Sequence, residues 1–196
     1  YVYKVSPGGQ QLWGENGIRL SDHPGGEFSP VLCITTDNTT IVSWIEEDVE
    51  TGNHMVMAAI DHDGNLIFNN NKIIWVPDGD YSYASPYLVP TIDGDFILIF
   101  RRSSGPSWSN EKYIYAQRIN MSGDPVWLTE AHINDAGGLT AWNVLSIKGD
   151  GEGGFYVAWD DDRDLDAVNE SFIQHVDVSG NLLFTANGLL VSTQFS

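Results

Sequence analysis

Carboxylates crowd two stretches of this chain: Asp160, Asp161, Asp162, Asp164, Asp166 and Glu170 in one, and Glu46, Glu47, Asp48 and Glu50 in the other. Alternating acids at Asp162, Asp164 and Asp166, followed by Glu170, could converge on one calcium ion, a hard cation that takes six to eight oxygen ligands. The run does not have the spacing of a helix–loop–helix calcium motif, because Ala167 stands where the turn glycine belongs and Ile173 where the closing glutamate belongs. The plainer reading is a solvated acidic loop in which Arg163 pairs with a neighbour. Asp61, His62 and Asp63 also look like ligands, but they belong to a turn that repeats along the chain.

A second group is aromatic and cationic. Trp108 has no counterpart elsewhere in the repeat, whereas the other tryptophans fall at repeating positions and read as core. With Tyr81, Tyr83, Arg101 and Arg102 it forms the kind of aromatic patch on which a sugar ring or a partner protein rests. The alternative is that the tyrosines pack on their own sheet.

Signatures of catalysis are sparse. The five histidines lack paired metal spacing, Cys33 lies in an apolar stretch, and there is no nucleophile elbow, phosphate loop or dinucleotide fingerprint. The five arginines form no obvious trio for a carboxylate, and the aromatic stands four residues after each turn glycine where the sialidase Asp-box would have it three after. Two carboxylates from different repeats could still supply the acid and base of glycoside hydrolysis.

The elements that must carry these groups are written in a repeat. Turn glycines stand at Gly9, Gly64, Gly123 and Gly180, spaced by 55, 59 and 57 residues, and each is followed four residues later by Trp13, Phe68, Trp127 or Phe184. An alternating strand leads into each turn and another leaves it, which makes a hairpin. Between hairpins lie a strand ending near Asp37, Asp93 or Asp150 and a continuous apolar strand at 40–44, 96–100 and 155–159, a pattern suited to burial on both faces. The order predicts fourteen strands and almost no helix. A period near 57 suits the four-stranded blade of a β-propeller, whose faces are buried only against neighbouring blades.

The predicted architecture is therefore all-β: about three and a half blades in a single propeller portion, a half repeat at 1–21 and repeats at 22–76, 77–135 and 136–196. Either it continues in a longer chain or two copies form a homodimer with a seven-bladed ring. The connections alternate between two faces, and the long ones, at 21–28, 46–53, 77–84, 101–112, 134–141 and 160–170, share one face, where ligand-binding residues are expected.

Composition narrows the partners. Twenty-seven acidic residues against nine basic give a net charge of −18, which opposes approach to nucleic acid and to an anionic membrane surface. No apolar stretch reaches the roughly 20 residues of a spanning helix, so membrane insertion is not expected. A lone cysteine leaves no disulfide framework.

The stretch YIYAQRINMSGDPVW at 113–127, followed by FYVAW at 155–159 and an acidic loop with Arg163, resembles repeats of large secreted or surface proteins of Bacteroidota and related bacteria, which read IYAQRxDxxGNxxWxxNG and then GGxxVAWxD. Trp13-Gly14-Glu15-Asn16-Gly17 and Phe184-Thr185-Ala186-Asn187-Gly188 match the tail of that pattern. The resemblance implies a propeller in an extracellular or cell-surface setting and transfers no catalytic residue. The second repeat departs most, with Arg101 and Arg102 where the others carry acids. From these readings follows the expectation of a non-enzymatic binding or adhesion scaffold for a glycan or protein partner. A carbohydrate-active hydrolase and a structural spacer are the alternatives.

Overall fold

The computed structural model describes residues 1–77, 81–104, 111–140 and 143–191. Among the described residues twelve strands form three four-stranded antiparallel sheets, each a meander in sequence order. The first contains β1 (Glu27–Ile34), β2 (Thr40–Glu46), β3 (His54–Ile60) and β4 (Ile73–Trp75); the second β5 (Tyr81–Pro90), β6 (Phe96–Ser104), β7 (Lys112–Ile119) and β8 (Ala131–Asn134); the third β9 (Ser146–Gly149), β10 (Phe155–Asp161), β11 (Glu170–Val176) and β12 (Leu189–Leu190). Ahead of them, residues 1–20 make a half blade: a hairpin joined by the bridges Val2↔Ile18 and Val5↔Gln11. The two hairpin strands of the fourteen expected are thus bridges and not full strands.

These sheets are the blades of a β-propeller. Their apolar faces meet in three layers. The half blade gives Val2, Trp13 and Ile18 to a layer with Val42, Trp44 and Val56 of the first blade. Ile41, Met55 and Met57 on the first blade's other face meet Leu98, Phe100 and Tyr115 of the second. Ile97, Ile99 and Ile114 on its far face meet Phe155, Val157 and Trp159 of the third. Strands β2 and β6 are apolar at successive positions because each gives alternate residues to two such layers. The first strands lie innermost, with β5 packed along β1 and touching β9.

Two features of the repeat were not read from the sequence. Ser29-Pro30 and Ser85-Pro86 mark a bulge in β1 and β5, where the register jumps between Phe28 and Val31 and between Ala84 and Tyr87. Both serines adopt positive φ, 54° and 50°, and a proline that cannot donate to a ladder fits at such a bulge. The second feature is a buried glutamine six residues before the turn glycine. Gln117 accepts from the Trp127 amide at 3.1 Å and donates to its carbonyl at 3.2 Å. Gln174 likewise accepts from the Phe184 amide at 2.9 Å and donates to the Thr185 carbonyl at 2.9 Å. Each pins the backbone that presents the aromatic residue.

Candidate functional site

The second blade places its two arginines on opposite sides. Arg101 pairs in register with Ala84 and Ile114, and Arg102 with Tyr83 and Tyr113; successive residues of a strand point to opposite faces. Arg101 is buried toward the third blade, donating from Nη1 to the Thr140 carbonyl at 3.3 Å and from Nη2 to Ser85 Oγ. It therefore cannot share one surface with Arg102. Tyr83 is also buried, with its ring edge-on to Phe100. The expected five-residue patch is corrected on both counts: Tyr81, Tyr83, Arg101 and Arg102 lie in strands and not in loops, and only Tyr81 and Arg102 stay together at the surface. Trp108 lies outside the described residues.

What remains is a compact cluster on the side facing the first blade. The Arg102 guanidinium lies 3.9 Å from the centre of the Tyr115 ring and 5.1 Å from that of Tyr81, and its Nη1 donates to Glu130 Oε2 at 3.1 Å. Burial disfavours its charge, but Tyr115 and Glu130 outweigh that and raise its pKa. The register partner Tyr113 donates its O–H to Glu111. That carboxylate, with burial second, pushes the phenol up to about 12, so Tyr113 remains a donor at neutral pH. Tyr81 is 41% exposed at the start of the innermost strand, with its segment tied to the first blade by the bonds Tyr83 N to Asn53 O and Asn53 N to Ser82 Oγ, both 3.2 Å. An exposed aromatic ring thus rests on a guanidinium, with one carboxylate bonded to that guanidinium and a second bonded to its strand partner. Glu111 and Glu130 were not singled out in the sequence. Their signal is tertiary, since neither shares a motif with Arg102.

The acidic loop is organised around itself. Asp162 accepts the amides of Asp166 and Ala167 at 2.9 and 3.1 Å, Asp166 accepts that of Val168 at 2.9 Å, and Glu170 is the first residue of β11. Asp164 is exposed. Among the described residues no group of three or more His, Cys, Asp or Glu side chains is placed to hold a metal ion. Asp61 folds onto its own turn, with Asn65 Nδ2 on one oxygen and the amides of Asp63 and Asn65 on the other. Cys33 is buried, and that burial pushes its thiol up to about 12, which removes it as a nucleophile at neutral pH.

No protein-family model matches the chain, and no curated protein does. Among solved structures it is similar to an arabinanase of Bacillus subtilis, at 15% identity and a TM-score of 0.44 over 87% of this chain and 60% of that one. It is also similar to an endo-arabinase of Bacteroides thetaiotaomicron, at 16% identity and a TM-score of 0.45 over 89% of this chain and 64% of that one. The chain spans less than two thirds of the length of either. Both neighbours bear the names of enzymes, against the expectation of a non-enzymatic binding or adhesion scaffold. That expectation, and with it the expected lack of enzymatic activity, is withdrawn.

Proposed function

We propose that this propeller portion belongs to a carbohydrate-active hydrolase, with a sugar ring stacked on Tyr81 and cleavage by the carboxyl groups of Glu111 and Glu130. The observation that carries this reading is the pairing of an exposed aromatic face with two carboxylates through a single strand pair, Arg102↔Tyr113. Glycoside hydrolysis needs one carboxyl group to protonate the leaving oxygen and a second to act as base or nucleophile. Glu130, already paired with Arg102, takes the second role, and the exposed Glu111 the first. Arg102 braces the ring from below while its Nη1 orients Glu130.

Release of reducing sugar from a panel of polysaccharides, arabinan among them, tests the proposal. Glu111→Gln and Glu130→Gln should each lower kcat by about 10²-fold or more, the usual contribution of a positioned acid or base, while Tyr81→Ala should act mainly on KM. No reducing sugar from any substrate, or glutamine variants with unchanged rates, would overturn it.

A further inference from the structure

Four of the five tryptophans among the described residues give their indole N–H to the protein: Trp13 to the His62 carbonyl, Trp44 to Glu46, Trp127 to the Val178 carbonyl and Trp159 to Asp161. Trp75 gives its N–H to none of the described residues. The residue is half-buried, and its Nε1 is not one of the buried atoms left without a partner, so this donor is open to solvent. An indole N–H in a packed place ordinarily finds an acceptor.

The repeat shows why this one does not. Trp75 stands eleven residues after Gly64, as Asn134 does after Gly123. Asn134 reaches across to the third blade and donates from Nδ2 to Asp161 at 3.0 Å. In the interface before, Ser21, one position further along, donates to Glu46 of the first blade at 2.8 Å. Where those interfaces have Glu46 and Asp161, the second blade has Arg102. Indole and guanidinium are both donors with no acceptor, so the bond that closes the other two interfaces cannot form here. Trp75 pairs in register with Met55 and shares its face, the one packed on the second blade. Its ring stands edge-on to Phe100 with centres 6.2 Å apart, Phe100 stacks on Tyr115 at 5.9 Å, and the Arg102 guanidinium lies between Tyr115 and Tyr81. One aromatic wall thus runs from Trp75 on the first blade to Tyr81 on the second.

We infer that Trp75 is a substrate-binding residue of the site at Arg102, its indole N–H donating to an oxygen of the bound sugar. The inference rests on the hydrolase reading for the class of its ligand. A sugar brings the acceptor that neither blade supplies, since each hydroxyl oxygen offers lone pairs. Trp75 then sets specificity, because a place built to bond a hydroxyl rejects an analogue that lacks it.

Two readouts separate this inference from the hydrolase reading. On any polysaccharide that the chain cleaves, Trp75→Phe should raise KM about three- to tenfold, the effect of one lost hydrogen bond, and leave kcat unchanged, as a loss of uniform binding does. The phenyl ring keeps the contact with Phe100, which an unchanged melting curve checks. An unchanged KM, beside a Glu130→Gln variant that has lost kcat, would overturn the inference and leave the hydrolase reading standing. The second readout needs no cleavage. Soluble oligosaccharides cut from each polysaccharide of the panel are titrated into the isotope-labelled Glu111→Gln chain, and NMR follows the indole N–H resonance that disappears in Trp75→Phe. A saturable shift of that resonance, with the Trp159 resonance stationary, is expected. If nothing is cleaved and the resonance still shifts, the hydrolase reading falls and the binding role of Trp75 holds. If no sugar moves it, the inference falls.

Discussion

The second residue after the aromatic at the fifth position of each second strand sets the polar chemistry between blades. Glu46 follows Trp44 and accepts its indole N–H at 3.2 Å, with Ser21 at 2.8 Å and Lys72 at 3.2 Å. Burial raises the Glu46 pKa, but Ser21 and Lys72 outweigh it and leave the carboxyl below its ordinary value. Asp161 follows Trp159 and accepts its indole N–H at 2.7 Å, Asn134 at 3.0 Å and Arg163 on both oxygens at 2.7 Å. In the second blade Phe100 has no N–H to offer an acid, and Arg102 stands there instead with Glu130 as its partner. The acids at 46 and 161 are therefore ties within the fold, and the second blade is the odd one, with a cation where the others carry an acid. Trp159→Ala should cost about 3 to 5 kcal/mol for a deleted large aromatic. Trp159→Phe, which keeps the ring but strips a donor from buried Asp161, should cost about 1 to 3. Denaturant melts measure both, and a loss under about 1 kcal/mol for the alanine variant would contradict the packing of Trp159 in the layer.

At the scale of the element, the hairpin glycine serves two purposes. Gly180 has φ +86°, and a Cβ there would lie 2.8 Å from the Trp127 ring, whose Nε1 donates to the Val178 carbonyl at 3.0 Å. Gly64 repeats the arrangement, with Trp13 2.9 Å from the Cβ position and bonded to the His62 carbonyl at 3.2 Å. Each tryptophan thus clasps the next blade's turn. Gly9 has nearly the same φ, +82°, with nothing near its Cβ position. Gly9→Ala should therefore cost about 1 to 2 kcal/mol, the backbone penalty alone. Gly180→Ala should add about 1 to 3 for overpacking against the indole. Equal losses in the two variants, read from urea midpoints, would refute the clasp.

For the whole molecule, part of the charge of −18 sits on turn acids whose hydrogen bonds favour the ionised form. Hydrogen bonds from Thr35 to Asp37, from Asn65 to Asp61 and from Thr91 to Asp93 lower the pKa of each acid. At Asp150 and Asp177 burial pulls upward, but His175 and Asn181 with nearby amides prevail and lower both. A carboxyl whose pKa is lower folded than unfolded adds stability above its unfolded value. That stability is lost as pH falls through the folded value. Melting temperature should accordingly hold at neutral pH and drop once pH goes below the ordinary aspartate value of 3.8. A flat profile down to pH 2, followed by circular dichroism, would show that the turn acids do not contribute, since the same acids would by then be protonated in the unfolded chain.

Period, turn glycines and alternation were enough to read the blades, because a sheet buried between two others needs apolar residues at successive positions and a glycine wherever the hairpin takes positive φ. The second strands begin where expected at Thr40, Phe96 and Phe155, and β3 and β7 lead into their turns as read. Local spacing did not reveal partners. The sequence places Arg101 beside Arg102, and only the strand sends one toward the third blade and the other onto Tyr81. Glu111 lies two residues from Tyr113, but it and Glu130 come to that arginine only when the strands of the second blade pair. Periodicity is a property of each blade's own backbone, legible residue by residue. A site assembled from different strands is fixed only when those strands pair.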